Sequence, residues 1–186
     1  MGSPENESAA MLKIILIIVV VAIAGVLLAA ATRPDDFRVE RKLLVKASPE
    51  KLFPYINNLH GFDQWSPFKE KDPQLKGTFT GPDSGPGAKY EWVGNSQVGQ
   101  GIMEIKSQTP NAQVLVQMTF IKPFPGVNTV DFSLKPQADG TEVSWAIYGP
   151  QAFIPKVMGL FFSMDKMVGP DFEKGLQSLR KLAEAN

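Results

Sequence analysis

Few side chains in this chain are suited to chemistry, and the ones missing narrow the possibilities most. The 186 residues contain one histidine, His60, and no cysteine. Without cysteine there is no disulfide, thiol nucleophile, iron–sulfur cluster or zinc-thiolate site. One imidazole excludes multi-histidine metal centres, and a Ser-His-Asp triad would have to use His60. That residue sits in Asn57-Asn58-Leu59-His60-Gly61, the pattern of a helix end closed by glycine, where an imidazole meets terminal carbonyls and the helix dipole. The best-placed acid is Asp165, at the edge of an apolar helical stripe where burial would raise its pKa. The ordinary alternative for Asp165 is an ion pair with a lysine, or a hydrogen bond around Gly169-Pro170. Tyr90 supplies a hydroxyl. Gly81-Pro82-Asp83-Ser84-Gly85-Pro86-Gly87 has the composition of a phosphate loop. It leads into the strand-like Tyr90-Glu91-Trp92, however, so no helix N-terminus faces an anion. The segment predicts a mobile hairpin loop. No metal site and no cofactor is expected.

Lysine and arginine total 19, as do aspartate and glutamate, so the formal charge is zero. No basic stripe is present, and no nucleic-acid partner is expected. The extreme feature is residues 14–31, eighteen uncharged positions that are almost all Ile, Val, Leu or Ala. As a helix this run spans ~27 Å, close to the hydrocarbon thickness of a bilayer. Lys13 can snorkel to one interface, and Arg33-Pro34-Asp35-Asp36 ends the run. A cleavable signal peptide is the competing reading, with Ala29-Ala30-Ala31 as its small-residue site, but a signal's apolar region is usually ~7–15 residues. The run is read as a retained single-pass membrane anchor over residues 11–32. A disordered tail (1–10) precedes it; a linker (33–37) and one domain (38–186) follow.

Two arguments about sidedness oppose each other. Only Lys13 precedes the span, whereas Arg33, Arg38, Arg41, Lys42 and Lys46 follow it, which by the positive-inside rule puts the domain in the cytoplasm. Those five belong largely to the first strand and are interspersed with acids. An apolar run this near the N-terminus is also commonly handled as an uncleaved export signal. The domain is therefore placed on the extracytoplasmic side.

Stepwise periodicity supplies the elements that must position any site. Val39, Arg41, Leu43 and Val45 alternate with charged neighbours, a first strand. Ser48-Pro49 starts a helix whose apolar face is Leu52, Phe53, Ile56 and Leu59, with Pro54 in its early turns. An aromatic loop, Phe62 to Phe68, follows. A period of two then marks strands over 75–79, 90–92, 101–108, 112–121, 127–134 and 141–148. Residues 153–185 predict a long helix with Met158, Phe161, Met164, Val168, Phe172, Leu176 and Leu179 on one side, kinked or restarted at Gly169-Pro170. One curved antiparallel sheet buried against that helix is an α+β architecture.

Alternation also sorts the sheet into faces. Tyr90 and Trp92 share one with Met103, Ile105, Val114, Val116, Met118 and Phe120. Val130, Phe132, Val143, Trp145 and Ile147 continue it. Glu91, Glu104, Lys106, Gln117, Asp131 and Ser144 lie on the other, so most strand carboxylates are solvated charges. The aromatic and methionine residues fill a core, or else wall a pocket, since a curved sheet closed by one helix leaves space.

Several segments together resemble one family. Phe37-Arg38-Val39-Glu40-Arg41 followed by Ala47-Ser48-Pro49-Glu50-Lys51-Leu52-Phe53 resembles the opening of polyketide cyclase/dehydrase and lipid-transport proteins, in the SRPBCC superfamily that includes START-like domains. Trp65-Ser66-Pro67-Phe68 resembles its W-x-P-aromatic loop, and Gly81-Pro82, Gly85, Gly87-Ala88, Tyr90 and Trp92 its hairpin. Met164-Asp165-Lys166-Met167-Val168-Gly169 and Asp171-Phe172-Glu173 resemble the terminal helix of membrane-tethered members, with Pro170 a local departure. The resemblance implies a helix-grip fold, a seven-stranded antiparallel sheet around a long C-terminal helix with an apolar cavity between them. It carries over no enzyme activity.

The leading expectation is a membrane-tethered, monomeric domain holding a small hydrophobic molecule, such as a lipid, isoprenoid or polyketide-like compound. At ~25 cal/mol per Å² of buried apolar surface, a modest ligand binds without charged contacts. The residues expected to line its cavity are Trp65 and Phe68 at the mouth, and Tyr90, Trp92, Met103, Met118 and Phe120 along the sheet. Phe132, Trp145, Met158, Phe161 and Met164 complete the set. The alternatives are a cyclase/dehydrase-like enzyme relying on Asp165, or a protein-interaction module.

Overall fold

The computed structural model describes residues 4–151 and 153–185. In chain order its elements are α1 (Pro4–Ala31), β1 (Asp36–Val45), α2 (Pro49–Leu52), α3 (Pro54–Asn57), α4 (Leu59–Trp65), α5 (Phe68–Lys71), β2 (Lys76–Thr80), β3 (Lys89–Val93), β4 (Gln100–Thr109), β5 (Gln113–Lys122), β6 (Gly126–Gln137), β7 (Gly140–Pro150), α6 (Phe153–Met158) and α7 (Met164–Ala185). They form two units: Met1–Asp35 with Gln151–Ser163, and Asp36–Pro150 with Met164–Asn186.

The second unit is one antiparallel sheet of seven strands in the order β1-β7-β6-β5-β4-β3-β2. The alternation of each strand sets which side chains face the core: in β4, Met103 and Ile105 are buried at 3% and 0% exposure, while Glu104 stays partly solvated. Consecutive strands pair as hairpins, and β1 closes against β7 with Val39 opposite Ile147 and Leu43 opposite Val143. Helix α7 lies along β1 and also meets β7 and α4. Its buried stripe is Phe172, Leu176, Leu179 and Ala183, the spacing that keeps one helical face on the sheet.

The segment between β1 and β2 departs from expectation. A single helix over 49–59 is replaced by three short ones, because Pro54 has no N–H to continue the first and instead opens α3. Asn58 then caps α4, its side-chain oxygen accepting from the N–H groups of His60 and Gly61. The expected aromatic loop is thus mostly helix. His60 stands in the first turn of α4 rather than at the carbonyl end of a helix, with its ring stacked 3.7 Å from that of Phe79. The glycine-rich hairpin loop is tied down: Gly85 N–H donates to Asn57 O at 2.8 Å and Gly87 N–H to Ile105 O at 2.9 Å.

The expected terminal helix is also divided, but before the proline. Helix α6 ends in turns, with the N–H groups of Phe161 and Phe162 both bonding to Met158 O, and α7 starts at Met164. Pro170 lies inside α7, which continues through it. Arg41 bridges that weak point. It projects from the sheet's inner face opposite Trp145 and bonds to Asp165 at 2.7 and 2.9 Å and to Glu173 at 2.6 Å, one residue on each side of Pro170. Gly169 makes this possible, since a Cβ there would sit 2.0 Å from Arg41 Nη2.

In the first unit, α1 begins at Pro4, a residue whose missing N–H suits a first helical position. Residues 4–10 are therefore helical where a disordered tail is expected, and residues 1–3 of that tail lie outside the described residues. From Met11 to Ala31 the helix is long and apolar enough to cross a membrane. Leu16 and Val21 are more than half exposed.

Candidate functional site

The inner face of the sheet has two halves with different packing. Toward α7 it is filled by rings. Trp145 stacks on Phe172 with centroids 4.0 Å apart and planes 9° from parallel, and Phe62, Trp65 and Phe132 surround it at 5.7, 5.2 and 5.5 Å. Trp65 is 1% exposed and its indole N–H donates to Tyr55 O at 2.9 Å. It does not stand at a pocket mouth; α4 carries it into the centre of the core. Phe132 and Trp145 belong to the same packed cluster. Space here is so limited that a Cβ on Gly175 would lie 2.6 Å from Trp145 and 3.4 Å from Trp65.

Toward β2 the covering is thinner. Register places Phe79, Tyr90, Met103 and Met118 side by side across four strands, with Trp92 and Phe120 one step along. None of β3, β4 or β5 is among the elements that α7 packs on most closely, which are β1, β7 and α4. Met118 and Phe120 accordingly stay half-buried, as do Phe79, Phe68 and Leu75 around them, and Met164 and Val168 on the first turns of α7. The rings of His60, Phe79, Tyr90 and Trp92 form a near-parallel series with interplanar angles of 24°, 26° and 22°. Two glycines give this series room. A Cβ on Gly77 would meet the Tyr90 ring at 2.4 Å, and one on Gly101 the Trp92 ring at 2.3 Å. Tyr90 is a neutral hydroxyl, its pKa pushed up to about 12 by burial and secondarily by the Asp63 carboxylate.

One polar group accompanies this apolar floor. Asn128 stands opposite Met118, and its side-chain oxygen is buried without a hydrogen-bond partner. Single-sequence reasoning misses Asn128, Phe79, Gly77 and Gly101. Phe79 was within reach, since alternation from Gly77 puts it on the inner face; the others depend on which residue they oppose.

The remaining expected residues lie elsewhere. Phe161 is 66% exposed and Met158 is in α6, and both belong to the first unit rather than to the unit that holds the sheet. Their helical stripe is real in projection but is cut by the turn after α6. Asp165 is an exposed ion-pair member rather than a buried acid. The Arg41 guanidinium holds its carboxyl below the usual aspartate range, opposite in sign to the shift a general acid needs. The expected lysine partner is an arginine. Among the described residues no cluster of His, Asp or Glu is arranged to hold a metal.

A concavity of about 230 Å³ is lined by Leu115, Gln117, Val127 and Thr129 with Lys106 and Pro150. The first and the next two alternate with core residues, which puts this hollow on the sheet face away from α7. A smaller one of about 80 Å³ adjoins His60, Phe79 and Pro82.

A seven-stranded antiparallel sheet gripping one long C-terminal helix, with an aromatic inner face, defines a helix-grip domain of the SRPBCC type. The chain belongs to the polyketide cyclase/dehydrase and lipid-transport family, whose profile matches residues 36–184. A crystal structure of a Chromobacterium violaceum protein is similar at TM-score 0.57 and 17% identity, covering 82% of this chain and 99% of that one. The Aha1 dimer from Colwellia psychrerythraea is similar at TM-score 0.55 and 18% identity, over 80% of this chain and 96% of that one. The di-domain ARO/CYC StfQ from the steffimycin biosynthetic pathway is similar at TM-score 0.57 and 12% identity, over 81% of this chain and 51% of that one. No curated protein matches the sequence.

Proposed function

We propose that residues 38–186 bind a small hydrophobic molecule of lipid, isoprenoid or polyketide-like character on the inner face of β3–β5. The carrying observation is that Met118 and Phe120 stay half-buried beside the buried Trp92 and Met103, on strands over which α7 does not close as it does over β1. Burying ~300 Å² of ligand there contributes ~7 kcal/mol before association costs, enough for binding driven by apolar area. The unpaired oxygen of Asn128 favours a ligand carrying one hydroxyl or N–H. An enzymatic reading has no support from Asp165, which is committed to Arg41.

Residues 11–32 tether the domain as a single-pass anchor, with the domain on the extracytoplasmic side; the linker expected over 33–37 is shorter, because β1 starts at Asp36. A tether would keep the pocket beside a bilayer that stores apolar ligands. Protease added to spheroplasts tests the side, since a protected domain would face the cytoplasm.

Binding is tested by native mass spectrometry of a detergent-free domain starting at Asp35, offered fatty acids, isoprenols and polycyclic aromatics. Wild type should retain an adduct that Met118→Arg loses while its circular dichroism is unchanged. No adduct with any compound, or equal adducts in both proteins, would refute the proposal.

A further inference from the structure

We propose that α6 and the turn after it make a second, interfacial contact with the membrane, placing Phe153, Ile154, Phe161 and Phe162 in the headgroup layer beside the end of α1. The proposal rests on reading α1 as the anchor. The segment is fastened at the point where the span ends. Asp35, four residues after Ala31, accepts at its backbone oxygen from Gln151 N–H (2.6 Å), and its carboxylate pairs with the ammonium of Lys156 in α6. Helix α6 also packs on α1 itself. Near that end Ala30 is fully buried and Val26, one turn earlier, is half-buried, whereas the flanking Leu27 and Leu28 are exposed. Helix α6 therefore sits against the final turns of the span, at the depth where hydrocarbon gives way to headgroups.

Its composition suits that depth. Phe153, Ile154, Phe161 and Phe162 are 48%, 60%, 66% and 62% exposed, and none belongs to the core cluster. From Phe153 to Phe162 the only charged residue is Lys156, and its side chain is buried against Asp35. Four large apolar side chains thus face outward with no exposed charge from their own segment, the 91% exposed carboxylate of Asp35 being the charge that adjoins it through Lys156, a combination that marks a surface awaiting a partner. A lipid surface is the occupant chosen here, because the patch is continuous with an apolar helix that ends beside it. Interfacial segments of this kind sink about 5–10 Å into the headgroup and acyl boundary.

The chain has no cysteine, so single cysteines can carry a nitrobenzoxadiazole label in the full-length protein. Ile154→Cys, Phe161→Cys and Phe162→Cys alter exposed side chains, and circular dichroism verifies their fold. Each is reconstituted in phosphatidylcholine/phosphatidylglycerol vesicles containing lipids with a nitroxide either near the headgroup or deep in the acyl chain. Val21→Cys reports the middle of the span, and Lys135→Cys, exposed at the end of β6, is the aqueous control. Labels at 154, 161 and 162 should lose more emission to the shallow quencher than to the deep one, Val21 the reverse, and Lys135 little to either. Quenching at Val21 without quenching at 154, 161 and 162 would overturn the interfacial contact and leave the anchor standing. No quenching at Val21 would overturn both. A blue shift at 154 or 161 that grows with protein concentration and ignores the quenchers would assign the patch to a second copy of the chain, and would also overturn the proposal.

Discussion

Truncating Phe172 to alanine is the sharpest test of the grip between sheet and helix. Phe172 is 3% exposed and lies flat on Trp145 at 4.0 Å. Removing a buried phenylalanine ring costs about 3–5 kcal/mol, the spread reflecting how far the surroundings collapse into the space. Collapse is restricted here. Trp145 is fixed by Phe62, Trp65 and Phe132, and the backbone at Gly175, the next turn, already approaches Trp145 closely. The loss should therefore fall in the upper part of that range. At about 2–4 °C per kcal/mol for a domain of this size, the melting temperature drops by about 10 °C or more. Urea unfolding of the domain from Asp35, followed by far-ultraviolet circular dichroism, should show a lower midpoint at an unchanged slope. Phe161→Ala, at a residue 66% exposed, should change stability by no more than about 0.5 kcal/mol. If Phe172→Ala costs under about 1 kcal/mol, or the two variants match, α7 is not gripped by the ring cluster and the reasoning fails.

Asp165 has its folded pKa lowered by Arg41, so its contribution is complete above the unfolded aspartate value of about 3.9 and is lost as pH falls through the lower folded value. The stability difference between wild type and Asp165→Asn should be constant from pH 5 to 8 and shrink in stronger acid; a difference that persists undiminished at pH 2 contradicts the pairing. Gly101→Ala would set a Cβ 2.3 Å from Trp92 and 2.5 Å from the backbone oxygen of Thr119, which cannot step aside, so a loss of about 1–3 kcal/mol is expected in the same urea assay; a neutral result would mean Trp92 does not lie over that glycine. The domain from Asp35 should fold and run as a monomer in size-exclusion chromatography, since among the described side chains of α1 only Ala30 is a buried apolar one; an aggregated product would show that the apolar helix is part of the folded core.

The strands were legible because a half-buried sheet writes its period into each segment, as in Tyr90-Glu91-Trp92. The inward position of Arg41 was legible for the same reason, but its partners lie 124 and 132 residues away and no local pattern points to them. Helix faces were legible and helix limits were not. Met158 and Phe161 continue the stripe of α7 in projection, yet periodicity does not say whether a stripe is covered, and here a turn separates them from it. Trp65 reads as part of an aromatic loop; the structure puts it at the end of a helix that Asn58 caps. The candidate site was half visible. Its methionines and aromatics follow from alternation; Asn128 and the two glycines acquire meaning only from the residues they oppose.

Those glycines have a consequence for how the sheet finds its alignment. A strand displaced by one residue turns every side chain to the wrong face, which burial forbids; a displacement by two keeps the faces and is the error a sheet must guard against by other means. In β4 such a slip replaces Gly101 opposite Trp92 with Met103 or Gly99, and in β2 it replaces Gly77 with Leu75 or Phe79. Three of those four bring a large side chain beneath a ring that has room for none. The missing side chains thus act as a key toward the β2 end of the sheet, where β2 itself has a neighbour on one side only and its alignment would otherwise be loosely fixed. Strand β2 is also only five residues long and begins with a lysine, so its unpaired border offers another chain little to join.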